Sequence, residues 1–283
     1  MPELPDPVLR LIDLAVEEDV GVGDLTSLAT VGPEDPGEAD IIARQEMVCC
    51  GLDLARLVFE RVGRGTSFRP LAADGDAVAP GTIIAEVSGP LRVILAGERT
   101  ALNFLQRMCG VATLSRRYAD KAAGVVAILD SRKTIPGWRW LDKRAVRVGG
   151  CSNHRMGLFD GILIKDNHVA ACGGVARAVS LARKKTPPGM SIEVEVEDIR
   201  GLEEALESGA DVVMLDNFSP GEVARAVHVN DGRVRLEVSG GISLQNLEEY
   251  LKIYGVDFLS VGALTHSAPA ADIAMEIRHR KAE

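Results

Sequence analysis

Short apolar runs rich in β-branched residues recur through the second half of the chain. Each closes on polar or glycine residues and is followed by a stretch with helical spacing. The runs cover 125–130 (VVAILD), 162–166 (ILIKD), 192–196 (IEVEV), 212–216 (VVMLD), 234–241 (VRLEVSGG) and 258–263 (FLSVGA). Neighbours are mostly about 20 to 35 residues apart, the length of a β-α unit. Between them, Ser219-Pro220-Gly221-Glu222 spells a capping box with proline at the first helical position. Ser243 predicts the cap of a helix in which Leu244, Leu247, Leu251 and Tyr254 follow the 3.6-residue period until Gly255 stops it. Ile199, Leu202 and Leu206 form a further stripe that ends at Gly209. Strands alternating with helices predict a parallel sheet with right-handed crossovers. Six strands are fewer than a regular (β/α)₈ barrel has, yet the strand ends resemble barrel active sites, so an open, barrel-like sheet is expected.

The N-terminal part reads differently. Segments 38–50 and 75–88 are β-rich with turn residues between them, 52–62 is helical, and 98–118 carries Leu102, Leu105, Cys109 and Ala112 on one helical stripe. The expected fold class is α/β: an open parallel α/β barrel with an N-terminal α+β sandwich-like domain. The N-terminal domain is placed at residues 1–110, the barrel at 111–268, and an amphipathic C-terminal helix at 269–283, with Ile273 and Ile277 on one side.

Composition narrows the function. Of 283 residues, 46% are hydrophobic and 26% charged, which suits a globular chain with a substantial core and excludes global disorder. A net charge of −9 and an aromatic content of only 4% argue against nucleic-acid partners. The five cysteines are odd in number and none has C-x-x-C spacing, which favours a reducing compartment over a disulfide framework or zinc ribbon. The N-terminal twenty residues have neither a basic nor an apolar signal region, and no window of 18 uncharged apolar residues exists. A cytoplasmic protein without membrane partners is expected.

In parallel barrels the active site lies at the C-terminal strand ends. Read in order, those ends offer Ser131, Arg132 and Lys133, then Lys165 and Asp166, then Glu193, Glu195 and Glu197, then Asp216 and Asn217, then Ser239-Gly240-Gly241, and last Gly262-Ala263. Residues 131–168 hold eight Lys or Arg against three Asp, a basic segment in an acidic chain, which points to a small polyanionic ligand. Arg132, Lys133, Arg155 and Lys165 lie at strand ends or in glycine-flanked loops and are read as its ligands. Lys143, Arg144 and Arg147 fall on a helical stretch and are read as solvated helix-face charges. Glu195 and Asp216 end consecutive strands and suit Mg²⁺ shared with a phosphate. The alternative is an acidic row paired with Arg and Lys, without a metal. Glycine turns at 239–243 and 262–267 each lead toward a helix, the arrangement of a barrel phosphate site.

The runs 130–137 (DSRKTIPG), 149–158 (GGCSNHRMGL) and 163–168 (LIKDNH) closely resemble quinolinate phosphoribosyltransferases. So do 23–27 (GDLTS), 98–103 (ERTALN), 215–217 (LDN) and 260–267 (SVGALTHS), and the similarity runs nearly end to end. The resemblance implies that quinolinate and phosphoribosyl pyrophosphate (PRPP) give nicotinate mononucleotide, pyrophosphate and CO₂ with Mg²⁺, a step of NAD biosynthesis. It implies a homodimer with shared active sites, extending to hexamers in some members. Arg132, His154, Arg155 and Lys165 would bind the dicarboxylate, with Arg99 arriving from the neighbouring subunit. Ser131 and Lys133 would lie at the substrates, and Lys133, Lys165, Glu195 and Asp216 would be the catalytic groups. Glu195 and Asp216 would hold the ribose or Mg²⁺. Ser239, Gly240, Gly241, Ser260, Val261 and Gly262 would receive the phosphate.

Ser131 stands where the family usually has Thr, Trp138 and Trp140 replace aliphatic or polar residues, Arg144 a Tyr, and Cys151 a Gly. None removes a charged ligand, while loop shape and oligomer contacts are put in question. A sister group linked to molybdenum transport usually lacks the Asn-His-Arg and Lys-Asp-Asn-His runs that this chain keeps. Two further readings are a Schiff-base aldolase using Lys165, whose amine would need an apolar or cationic setting, and a non-catalytic sensor of phosphorylated ligands.

Overall fold

The computed structural model describes residues 4–278. The chain divides into two compact units. One takes the chain up to residue 116, with 134–150 and everything from 267 on; the other takes 117–133 and 151–266.

The first unit contains α1 (Asp6–Val20), α2 (Leu25–Thr30), β1 (Pro36–Ala43), β2 (Met47–Val48), α3 (Leu52–Val62), β3 (Ser67–Pro70), β4 (Ala77–Val78) and β5 (Ile83–Pro90). It also holds most of the long α4 (Leu91–Ala122), α5 (Arg139–Val148) and the last strand, β12 (Ile273–Ile277). Its sheet runs β12-β1-β5-β3 and is antiparallel throughout. Helix α4 is longer at both ends than its stripe predicts, but Leu102, Leu105, Cys109 and Ala112 are all buried. Asp24 starts α2 by accepting the amides of Thr26 at 3.0 Å and Ser27 at 3.2 Å, satisfying N–H groups that a helix start otherwise leaves free.

The C-terminal segment is a correction. Where a helix was expected from 269, residues 273–277 form β12, paired along β1 from Ala43↔Ile273 to Ala39↔Ile277; residues 279–283 lie outside the described residues. Ile273 and Ile277 share a face in a helix and equally in a strand. Met275 between them completes an alternation of period two, and the open edge of β1 selects the strand. Arg278 ion-pairs with Asp40 and Glu86 beside this edge.

Helix α5 corrects a second expectation. Arg147 is exposed, but Lys143 is 1% exposed and Arg144 is largely buried. Arg144 makes a two-pronged contact with Asp53 at 2.8 and 2.9 Å and reaches Asp74 at 2.7 Å. Those carboxylates supply the counter-charge that makes burial of a guanidinium tolerable. Trp140 lies under the same guanidinium at 6.0 Å, and Trp138 stacks on Phe104 at 4.8 Å. Trp138, Trp140 and Arg144 thus have packing roles within this unit.

The second unit is built from β6 (Ala127–Leu129), β7 (Ile162–Ile164), α6 (Asp166–Cys172), α7 (Val175–Lys185), β8 (Ile192–Val196), α8 (Ile199–Ser208), β9 (Val212–Asp216), α9 (Pro220–Asn230), β10 (Arg235–Ser239), α10 (Leu247–Leu251), β11 (Phe258–Ser260) and α11 (Ala263–His266). The six strands are parallel, in the order β6-β11-β10-β9-β8-β7. The sheet is therefore an open barrel, with β6 and β7 as its edges; Ser152 makes one parallel bridge to Leu129. All five residues of β8 are buried, as parallel strands covered on both faces require. Ser219 and Glu222 form the expected box at α9, and Gly209 (φ +80°) ends α8. Helix α10 starts three residues later than expected. Ser243 and Asn246 bond to each other in the preceding turn, and Tyr254 is exposed rather than packed.

No helix among the described residues is long and apolar enough to cross a membrane. Within the first unit, a Cβ on Gly110 of α4 would stand 2.0 Å from the Pro269 carbonyl oxygen, so this glycine sets how closely the approach to β12 packs. Gly110→Ala is expected to destabilise the protein by about 1–3 kcal/mol through overpacking, read as a lowered urea midpoint with an unchanged slope; an unchanged midpoint would refute it.

Candidate active site

A cavity of about 620 Å³ opens at the C-terminal strand ends of the second unit. Ser131, Arg132, Lys133, His154, Arg155, Lys165, Glu195, Asp216, Ser239, Gly240, Gly241, Ser260 and Gly262 all line it. Two expected residues do not. Arg99 belongs to the first unit, exposed on α4, and Val261 is 1% exposed with its amide donated to the Leu129 carbonyl.

The cationic wall is organised by Asp130, at the end of β6. This carboxylate is fully buried and accepts the His154 amide at 2.9 Å and the Asn153 side-chain amide at 2.6 Å. The loop that follows Cys151 is thereby pinned to the end of β6. Cys151 itself is buried, and burial followed by the nearby Asp130 pushes its thiol pKa up to about 12. Arg155 donates to the Gly161 carbonyl at 3.0 Å. The Nε atoms of Arg155 and Arg132 are both buried without a hydrogen-bond partner. Burial and the adjacent Arg132 charge lower the pKa of Arg155. Two guanidinium groups that crowd each other beside one cavity form a ready anion site, because an anion offsets their mutual repulsion and suits their forked donors.

The opposite wall is acidic. Lys165 Nζ meets Glu195 Oε2 at 2.5 Å. His168 Nδ1 accepts the Lys165 amide at 3.0 Å, which accounts for the histidine that closes the Lys-Asp-Asn-His run. Asp216 is raised above its ordinary pKa, first by burial and then by Glu195, against the pull of Lys165 and Lys133. Asn217, in the left-handed region at φ +59°, donates to Asp216 at 2.7 Å. A Cβ on Gly240 (φ +95°) would meet Asn217 Oδ1 at 2.2 Å, so only glycine fits there. Glu197, grouped with Glu193 and Glu195 by alternation, lies beyond the end of β8 and is exposed.

Deeper in the barrel, His154 Nε2 stands 3.2 Å from Glu193 and 3.5 Å from Glu237, while Nδ1 accepts the Arg155 amide at 2.8 Å. Both ring nitrogens are thus engaged within the protein. Burial opposes a charged ring, but bonds to Glu193 and then Glu237 outweigh it and raise the pKa to about 10. The Arg155 amide contact belongs to the ring with its single proton on Nε2, whereas the raised pKa expresses how strongly Glu193 and Glu237 favour adding a proton at Nδ1. Glu193 is itself raised, chiefly by burial.

At the phosphate end, Gly240 and Gly241 both have positive φ. Ser260 donates to Glu237 at 2.5 Å, and Gly262 leaves room for Lys133 and His266. Glu195 and Asp216 present hard oxygen donors, and the raised Asp216 marks a surplus of negative charge. That is the chemistry Mg²⁺ takes, usually with waters and a substrate phosphate. The imidazole and carboxylates of His154, Glu193 and Glu237 also lie within 4.8 Å of one another, but they hydrogen-bond among themselves.

Sequence reading assigned no role to Asp130, His168, Glu237 or His266. A signal existed for Glu237: a carboxylate inside the apolar run VRLEV, as in IEVEV. For Asp130, which opens the Asp-Ser-Arg-Lys run, the partner that gives it meaning is 24 residues away.

Comparison with known proteins matches residues 24–109 to the N-terminal domain of quinolinate phosphoribosyl transferase and 111–276 to its C-terminal domain. The chain is 42% identical to a probable nicotinate-nucleotide pyrophosphorylase [carboxylating] of Bacillus subtilis, over 95% of this chain and 92% of that protein. It is 40% identical to the protein of the same description from Methanocaldococcus jannaschii, over 97% and 98%. The nicotinate-nucleotide pyrophosphorylase structure from Francisella tularensis superposes with a TM-score of 0.92 at 40% identity, covering 98% of both chains.

Asp130→Asn would turn an amide toward the donors that now meet a carboxylate. It is expected to cost about 1–3 kcal/mol of stability, measured by equilibrium urea unfolding; an unchanged unfolding free energy would show that Asp130 does not organise the loop.

Proposed function

The chain belongs to the quinolinate phosphoribosyltransferase family, and on that basis we propose that it joins quinolinate to PRPP with loss of CO₂, yielding nicotinate mononucleotide and pyrophosphate for NAD biosynthesis. The observation that carries this reading is the gathering of Arg132, Arg155 and Lys165 with Glu195 and Asp216 around one cavity. A ring with two adjacent carboxylates suits the cationic groups, and a sugar acquiring positive charge suits the acidic ones.

Arg132 and Arg155 grip the carboxylates through forked donors, and Lys165 adds a point charge. His154 contributes as a braced wall, since its nitrogens already have partners. The pyridine nitrogen displaces pyrophosphate from ribose C1, so no protein nucleophile is needed. Glu195 and Asp216 stabilise the charge that builds on the sugar as that bond breaks. The ring nitrogen is then cationic, and its charge stabilises the electron pair left on C2 as CO₂ leaves; a proton from water then bonds to C2 in place of the carboxylate. Gly240, Gly241 and Gly262 admit the 5′-phosphate close to the main chain, with Lys133 beside them. Glu195 and Asp216 would also hold Mg²⁺, which supplies charge neutralisation for the pyrophosphate.

The engagement of Lys165 Nζ by Glu195 speaks against the aldolase reading, because a Schiff-base amine needs a setting without such a partner. Exposed Arg99 fits a role in a partner subunit's site, within a homodimer that can extend to hexamers. Free thiols and an acidic chain suit the cytoplasm.

Carboxyl-labelled quinolinate incubated with the purified protein should release CO₂ only when PRPP and Mg²⁺ are both present, and nicotinate should not substitute. Quinolinate binding without CO₂ release would leave a sensor, not an enzyme. Arg155→Lys should weaken quinolinate binding by roughly tenfold or more, the scale of one lost charged hydrogen bond; calorimetry showing wild-type affinity would remove Arg155 from the site. Mixing inactive Arg99→Ala and Lys165→Ala proteins under subunit exchange should restore part of the activity, and no recovery would count against shared sites.

A further inference from the structure

We infer that Glu237 is a positioning residue that couples the dicarboxylate wall of the pocket to its sugar-phosphate wall. The inference rests on the reading above and deepens it. Glu237 sits in the middle of β10, 2% exposed, where a carboxylate is costly unless its oxygens are used. One oxygen accepts the Ser260 hydroxyl at 2.5 Å, across the β10–β11 pairing in which Glu237 stands beside Phe258. The other stands 3.5 Å from His154 Nε2. His154 belongs to the cationic wall, and Ser260 ends β11 at the rim that continues into Gly262. His154 is fastened through its amide to Asp130 and through its ring to the amide of Arg155, whose guanidinium faces the cavity. Ser260 leads into Gly262 and the floor on which Lys133 lies.

Glu237 does not line the cavity, so it acts through these groups and not on substrate. Its negative charge keeps the His154 ring turned inward, together with Glu193, and its other oxygen sets the Ser260 hydroxyl. Packing alone would be served by an uncharged residue of the same shape. The geometry instead spends a buried charge on two contacts that end at different ligands.

The test measures quinolinate affinity by calorimetry and the KM for each substrate on the full-length protein. Wild-type turnover is established first, since its absence would overturn the function itself and not this inference. Glu237→Gln keeps the shape and an acceptor for Ser260 but removes the charge facing His154. It should weaken quinolinate binding at least about tenfold, raise the KM for PRPP less, and leave the unfolding midpoint within a few degrees. Glu237→Asp, which keeps the charge, should recover part of the quinolinate affinity. Ser260→Ala covers the case in which Glu237→Gln does not fold: it removes a group on the phosphate wall, yet should weaken quinolinate binding at least about threefold through Glu237. Unchanged quinolinate affinity in Ser260→Ala, or in a folded Glu237→Gln, would overturn the coupling. So would a fall in kcat alone with both KM values at wild-type level.

Discussion

Charge neutralisation inside the mouth of a parallel sheet is the constraint on which the second unit depends. Strands β8 and β10 carry carboxylates at positions where parallel strands normally present aliphatic residues. Each such group must find a cation or a donor, because a lone buried charge would cost several kcal/mol. Glu195 finds Lys165, Glu193 and Glu237 find His154, and Asp130 finds the amides of the loop that carries Arg155. The same pairings that make the barrel interior tolerable also aim the remaining positive groups into the cavity. Stability and ligand binding are therefore two consequences of one set of contacts.

This explains why the residues nearest the proposed substrates are held so firmly. The Arg132 charge lowers the Arg155 pKa, and an anion held between the two would offset that repulsion. The acidic wall shows the complementary state. Asp216 and Glu195, on neighbouring strands of one wall, repel each other, and a developing sugar cation or a metal ion would relieve that repulsion.

The first unit follows a different logic. In its sheet Ala39, Ile41 and Ala43 of β1 are buried, Phe68 of β3 meets Phe59 of α3, and ion pairs of Arg278 with Asp40 and Glu86 flank the last strand. Within 138–144, Trp138 stacks on Phe104, and the Asp53–Arg144–Asp74 group lies beside Trp140.

Local order was legible in the chain. Short β-rich apolar runs marked all six barrel strands, and the capping box at Ser219 and the stop at Gly209 fall where their chemistry requires. The ordered runs of Arg, Lys and His carried the family, and most candidate ligands share one cavity because strand ends of a parallel sheet converge. Three things were decided only by tertiary structure. The segment 273–277 is a strand because β1 has a free edge, since its own apolar spacing suits either state. Lys143 and Arg144 are buried because Asp53 and Asp74 meet Arg144 and the surrounding unit covers α5, neither of which a helical pattern can reveal. Asp130 and Glu237 gain their roles from partners 24 and 23 residues away, His154 and Ser260. Propensity and periodicity act between neighbours in the chain, whereas counter-charges are chosen by distance in space.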